Sequence, residues 1–169
     1  MKKQEQIALG IVMERQKVEN PWTTFSWRTV AAITGGPKLK KWQKMSHTDR
    51  SIQFFAGTLI LQLHRGETEG YRVNLSQRNP SLYVILQNIT EEWPKPFLVT
   101  ACPFEAEDYE ISGEERTDRI NMPEAISALV GHFISEHHIE EKFVKRKRKP
   151  HKLNKNSFPS EKQPRKNYG

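Results

Sequence analysis

The residues best suited to metal chemistry are His132, Glu136, His137, His138, Glu140 and Glu141, crowded together near the end of a helical pattern. A zinc-binding helix sets two imidazoles at i and i+4 so that both face one ion. Here His132 has Glu136 at that spacing and His137 has Glu141, and no two histidines share it. Imidazoles that complement both a helix C-terminus and the acids following it describe the pattern better, so no metal ligand is assigned.

Cys102, in VTACPFEAEDY, follows a strand-like run and precedes Pro103, where a turn could present a nucleophile. A catalytic thiol needs a nearby base and a lowered pKa. The sequence identifies neither, and an inert packed thiol is expected. Because Cys102 is the single cysteine, an internal disulfide and a cysteine-based zinc site within one chain are excluded. Glu67, Glu69, Glu105, Glu107, Asp108 and Glu110 could supply an acid/base pair, but nothing in their spacing makes two of them face one substrate. Gly35 and Gly36 lack the further glycines, lysine and strand-to-helix setting of a phosphate loop. No catalytic residue and no cofactor are assigned.

Two groups remain as candidates for binding. Trp22, Phe25, Trp27 and Trp42 cluster in the N-terminal third together with Arg28. Rings at this density anchor a core or a protein interface more often than they stack on bases. The second group lies in HRGETEGYRVN, where Arg65, Glu67, Glu69, Tyr71, Arg72 and Asn74 bring mixed charge and hydrogen-bonding groups to a predicted hairpin. Cross-strand pairing is the plainer use of those charges.

The formal charge of +7 is unevenly spread over the 169 residues. Residues 142–169 hold 11 lysines and arginines against Glu161 alone, whereas residues 1–141 hold 16 against 19 acids. The basicity therefore belongs to a tail, rich in proline and poor in apolar residues, that is expected to be disordered. Lys142, Lys145, Arg146, Lys147, Arg148 and Lys149 read as a basic docking segment within it, able to bind phosphates by counterion release or to engage an acidic protein. A single globular domain is expected over 1–141 and the tail over 142–169. No run of about 18 apolar residues is present, so no membrane span is expected. The start of the sequence lacks a signal-peptide pattern, and a cytoplasmic location is expected.

The elements that must position these side chains are mostly strands. Alternation and β-branched or aromatic runs predict strands at 7–13, 25–33, 53–63, 71–75, 82–87 and 97–101. Phe55, Leu59, Leu61 and Leu63 should share a core face opposite Thr58 and Gln62. Turn residues separate the runs at Gly35-Gly36-Pro37, Arg65-Gly66, Glu69-Gly70 and Asn79-Pro80-Ser81. The spacing of the later strands leaves no room for helical crossovers, so antiparallel pairing is expected. Pro123 suits a first helical position, and Ala125, Ile126, Leu129, Val130, Phe133 and Ile134 form one stripe of a helix to His138. A shorter helix is expected over 104–111. The predicted fold class is α+β: a mainly antiparallel sheet, as a sandwich or small barrel-like meander, with one C-terminal amphipathic helix packed on it.

An ordered set of segments carries a wider resemblance: ERQKVENPW and SWRTVAAI, FFAGTLILQLHRGETEGYRVNL, PSLYVIL, PFLVTACPFEAEDYEISGEE, MPEAI and HHIEEKFVKRKRK. With these the chain resembles a bacterial family known as domain of unknown function 3305, over about residues 7–149. The resemblance implies a small cytosolic protein encoded near formate dehydrogenase and other molybdoenzyme accessory functions. Some members carry labels pointing to molybdopterin guanine dinucleotide synthesis. The nucleotidyl-transferring proteins of that pathway resemble Rossmann-like folds with a glycine-rich phosphate loop, and this sequence has neither. Cys102 stands where the family pattern is expected to hold serine.

The expectation is a non-enzymatic accessory protein whose partner is a molybdoenzyme subunit or maturation factor. The first alternative is a nucleic-acid or ribonucleoprotein-associated module using the basic tail. A further alternative is an enzyme acting on a molybdopterin or nucleotide ligand.

Overall fold

The computed structural model describes residues 4–20 and 22–138. Seven strands and three α-helices follow one another there. They are β1 (Gln4–Asn20), β2 (Thr23–Ile33), β3 (Gln43–His47), β4 (Ser51–His64), α1 (Thr68–Leu75), β5 (Ser81–Gln87), β6 (Lys95–Thr100), α2 (Pro103–Ser112), β7 (Arg116–Asn121) and α3 (Glu124–His137), with a 3₁₀ turn at Arg65–Glu67 before α1. The strands form two antiparallel sheets, in the orders β2-β1-β4-β3 and β6-β5-β7. The class is α+β, as the sequence predicts.

Inward alternation along the long strands builds the core. Leu9, Ile11 and Met13 of β1 and Leu61 and Leu63 of β4 are fully buried, and they meet Leu82, Val84 and Leu86 of β5. Leu61 and Leu63 are buried as predicted, Leu59 is half-buried, and Thr58 and Gln62 are exposed, but Phe55, although buried, does not share their face: the slip in register turns it to the opposite side with Val12 and Gly10 and puts Phe54 on the inward one. Near Gly57, which adopts φ +106°, the register slips between Gly10 opposite Thr58 and Val12 opposite Phe55. This bulge bends the pair as bulges do. Gly10 is required there, because a Cβ would sit 2.7 Å from the Phe55 ring.

The sheets meet at two seams, β4 against β6 and β2 against β7. At the second seam a side chain stands in for strand pairing. The Asp118 carboxylate accepts the Thr29 N–H at 2.7 Å and both Nε and Nη2 of Arg116, whose Nη2 also donates to the Trp27 carbonyl at 2.7 Å. β7 begins at Arg116, beside Trp27, so β2 and the strands paired with it continue past the end of the smaller sheet.

The sequence prediction fails at Tyr71–Leu75, which lies in α1 and not in a strand, so the hairpin expected over HRGETEGYRVN is a 3₁₀ turn followed by a helix. Tyr71 and Val73 favour strands intrinsically, but burial of Thr68, Tyr71 and Asn74 follows the helical period and overrides that preference. Gly70, expected to mark a turn, instead lets α1 approach Cys102: a Cβ there would lie 2.5 Å from Sγ. Strands β3 and β7 have no counterpart in the prediction. QKMSH is exposed throughout and RTDRIN buries Ile120 alone, so neither shows an apolar run. A helical connection also fits where none was expected, since α1 lies between β4 and β5.

In α3, Ile126, Val130 and Phe133 enter the core, Leu129 and Ile134 lie at its margin, and Ala125 is exposed. Pro123 is the residue before the helix and not its first, a position that Pro103 takes in α2. The predicted helix at 104–111 is this α2. Among the described residues no helix is long and apolar enough to cross a membrane.

Asn74 locks α1 to the smaller sheet. Fully buried, its amide donates to the carbonyls of Ser81 at 2.7 Å and Ala101 at 2.8 Å and accepts the Ser81 N–H at 2.9 Å. Replacing it with alanine strands three buried backbone groups, each worth about 1–3 kcal/mol when left unpaired. Asn74→Ala should therefore lower the unfolding free energy by roughly 3 kcal/mol or more, measured by urea denaturation. A loss within a few tenths of a kcal/mol would show that water replaces the amide there.

Candidate functional site

Where β1, β2 and β4 outrun the smaller sheet, their inner faces carry a cage of rings. Trp27 of β2, Phe54 of β4, Trp42 and Trp93 lie with ring centroids 4.9–6.3 Å apart, mostly edge-on or tilted, the geometry aromatic quadrupoles favour. Register explains the gathering. Arg15 of β1 faces Trp27, Lys17 faces Phe25, and Met13 faces Phe54 across the neighbouring pair. Trp93 comes from the loop between β5 and β6 and closes part of the face.

Arg15 continues the inward row Leu9, Ile11, Met13, and its guanidinium carbon sits 4.4 Å from the Phe25 centroid. Phe54, Trp27 and Trp93 follow at 5.4, 5.8 and 5.9 Å. The ring faces stabilise the cation electrostatically. Its Nε is buried without a hydrogen-bond partner. Beside it opens a cavity of about 570 Å³ lined by Arg15, Trp22, Phe25, Trp27, Glu91 and Arg116, among others. A second of about 200 Å³, on the side toward β3 and β4, is lined by Arg15, Lys17, Lys44, His47 and Arg50.

Of the aromatic candidates, Trp22 and Trp27 thus share one cavity, with Trp22 almost fully exposed. Arg28 does not join them. Its position on β2 points it outward, where it pairs with Glu14 at 3.1 Å. Arg15 and Trp93 were missed, although the signal for Arg15 was present: a cation in the inward register of an otherwise apolar alternation.

The second group is dispersed. Tyr71 and Asn74 are fully buried, the Tyr71 hydroxyl accepting the His64 N–H at 2.8 Å. Arg65 and Glu69 are exposed. Arg72 donates to Nε2 of His138 at 2.9 Å, while Nδ1 of the same ring lies 2.8 Å from the Thr68 hydroxyl. That ring ties the end of α3 to the start of α1. His132 pairs with Glu136 at 3.1 Å, so these two histidines have different partners.

Two members of this group sit in perturbed settings: burial pushes the Tyr71 hydroxyl well above its ordinary range, and Glu67 is raised as well. Burial pushes its carboxyl above the ordinary range and the neighbouring Glu105 carboxylate adds to the shift, while His64 opposes it. Cys102, buried next to it, is also pushed up by burial. The first N–H groups of α2, at Phe104 and Glu105, act in the opposite direction without forming a capping hydrogen bond. A thiol with a raised pKa, packed against Gly70, is a poor nucleophile.

The basic segment Lys142, Lys145, Arg146, Lys147, Arg148 and Lys149 lies outside the described residues. The family model described as Protein of unknown function (DUF3305) matches residues 8–148. The chain belongs to this family. No curated protein and no solved structure matches it. The matched span includes every ring of the cage, Arg15, and the Glu67–Cys102 pair.

The Glu67 environment yields a test of sign. A raised pKa means that the folded chain holds the proton more tightly than the unfolded chain, whose ordinary value is 4.5. The stabilisation is complete below that value and is lost as pH rises through the folded pKa. Glu67→Gln removes the charge, so urea unfolding should find it more stable than wild type at neutral pH, with the two converging below pH 4.5. Wild type gaining on the variant as pH rises would reverse the assignment.

Proposed function

We propose that the protein is a non-enzymatic accessory protein that docks on a protein partner through the ring-lined face of β1 and β2. The partner is a molybdoenzyme subunit, such as one of formate dehydrogenase, or a maturation factor. The observation that carries docking is the exposure of Trp22 and Phe25 at the mouth of a cavity anchored by Arg15. Exposed rings beside a preorganised guanidinium are what interface hot spots are made of. The choice of partner rests on the family resemblance and on no contact in this chain. Further support for a binding role comes from α1, where Tyr71 and Asn74 are taken up in holding helix to sheet. In this reading the chain works in the cytoplasm, with its body at 1–141 and its basic segment at 142–149 as a secondary contact.

Affinity purification of the tagged full-length protein at low and high salt tests the reading. Wild type should retain a redox-enzyme subunit or maturation factor, and Trp22→Ser or Phe25→Ser should reduce recovery about tenfold, equivalent to about 1.4 kcal/mol. Nucleic acid alone, lost with salt and with glutamine at Lys145, Arg146, Lys147 and Arg148, would favour the nucleic-acid alternative. A pterin or nucleotide carried through gentle purification, detected by mass spectrometry, would favour the enzymatic one.

A further inference from the structure

Arg15 differs from the arginines around it. Arg28 is paired with Glu14, and Arg116 with Asp118 and the Trp27 carbonyl. Arg15 has rings against its faces and, among the described residues, no hydrogen bond or ion pair. With those faces occupied, what the guanidinium still offers is its in-plane N–H edge, the edge that a carboxylate meets in a two-pronged bond.

We propose that this edge receives a carboxylate of the docking partner, and that the partner segment is an extended acidic peptide lying along the inner face of β1 beyond Met13. The inference rests on the docking reading and specifies its chemistry. Three observations support the occupant. Arg15 and Lys17 are alternate residues of one strand, about 7 Å apart, which is also the spacing of alternate side chains in an extended peptide. Lys44 and Arg50 stand on the same side, so the cavity next to Arg15 holds four cations against the single carboxylate Asp49. Phe25 and Val18 line an adjoining cavity of about 540 Å³ together with Lys17, Arg50, Glu19 and Asp49, so that an apolar side chain can rest on Phe25 and Val18 while the two acids there restrict the peptide's carboxylates to the Arg15 side.

Glu91 and Glu92 line the cavity of about 570 Å³ on the other side of Arg15. They would repel a continuous phosphodiester chain but leave room for carboxylates placed singly, which favours a peptide over nucleic acid.

The test is selection from a displayed library of random peptides on immobilised full-length protein, followed by tryptophan-fluorescence titration of the enriched peptides. Selected sequences should carry Asp or Glu at alternate positions beside an aromatic or aliphatic residue. Their Asn/Gln counterparts should bind at least tenfold more weakly, and so should wild-type peptides to Arg15→Gln. Lys17→Gln, a change at an exposed site that leaves the cage intact, should weaken binding about threefold and flatten its salt dependence.

Enriched peptides without acids, acidic peptides that bind Arg15→Gln as well as wild type, or no enrichment at all would overturn the proposal. Binding of an oligouridylate that is lost in Arg15→Gln, with no peptide selected, would do the same and assign the site to nucleic acid. The docking reading is tested separately in the same variant. A partner recovered from cell extract equally by wild type and Arg15→Gln leaves docking standing and removes the acidic anchor, whereas no protein partner with either removes docking itself.

Discussion

The mismatch in length between the two sheets governs the rest of the molecule. β1, β2 and β4 run for 17, 11 and 14 residues, while the strands of the facing sheet run for 6 or 7. A closed two-sheet core can be built only as far as the shorter sheet reaches. There the inner residues are aliphatic and fully buried. Beyond it the same inward positions have no sheet to pack against, and they are filled by Trp27, Phe54, Phe25 and Arg15. Large rings can pack on one another and on a loop tryptophan where small aliphatic side chains would leave voids. The cage is therefore the means by which an overhanging hairpin remains folded, and it is also the source of the exposed apolar surface.

Buried polar groups set the joints between the elements. Asn74 has no apolar substitute, because it satisfies backbone groups of β5 and of the residue after β6 at once. Asp118 serves the same purpose at the β2–β7 seam, where it accepts a strand N–H that no neighbouring strand reaches. Cys102 is held by shape, in van der Waals contact with the bare Cα of Gly70. A role in packing accounts for the position.

The legible parts of the fold were those in which one physical pattern was strong. The alternation of β4 and the stripe of α3 identified their elements and most of their core faces, because burial there follows a simple period. α1 was illegible because its eight residues include strand-favouring Tyr71 and Val73 and a glycine, while the helical burial of Thr68, Tyr71 and Asn74 involves two polar residues. β7 was illegible because its function is carried by Arg116 and Asp118, which resemble a solvated loop until their partners on β2 are known. At the site, sequence proximity located Trp22 and Trp27 but wrongly grouped Arg28 with them, since adjacent strand residues face opposite ways. Trp93 lies far along the chain and joins only through the fold.

Arg15 shows how the cage and the proposed function are connected. A guanidinium inside a packed protein normally has a carboxylate or carbonyl within reach, as Arg116 does. Four rings offset part of the desolvation of Arg15 by presenting their negative faces, and they fix its orientation without neutralising its charge. A lysine would not serve equally, because the planar cation alone can stack and still direct N–H groups sideways. The arrangement keeps a cation rigid and unpaired at low solvent exposure, which is the state in which a docking anion gains most from meeting it. An apolar residue in place of Arg15 would have spared the cage the desolvation of a cation, but it would have removed that charge from the surface where the rings are exposed.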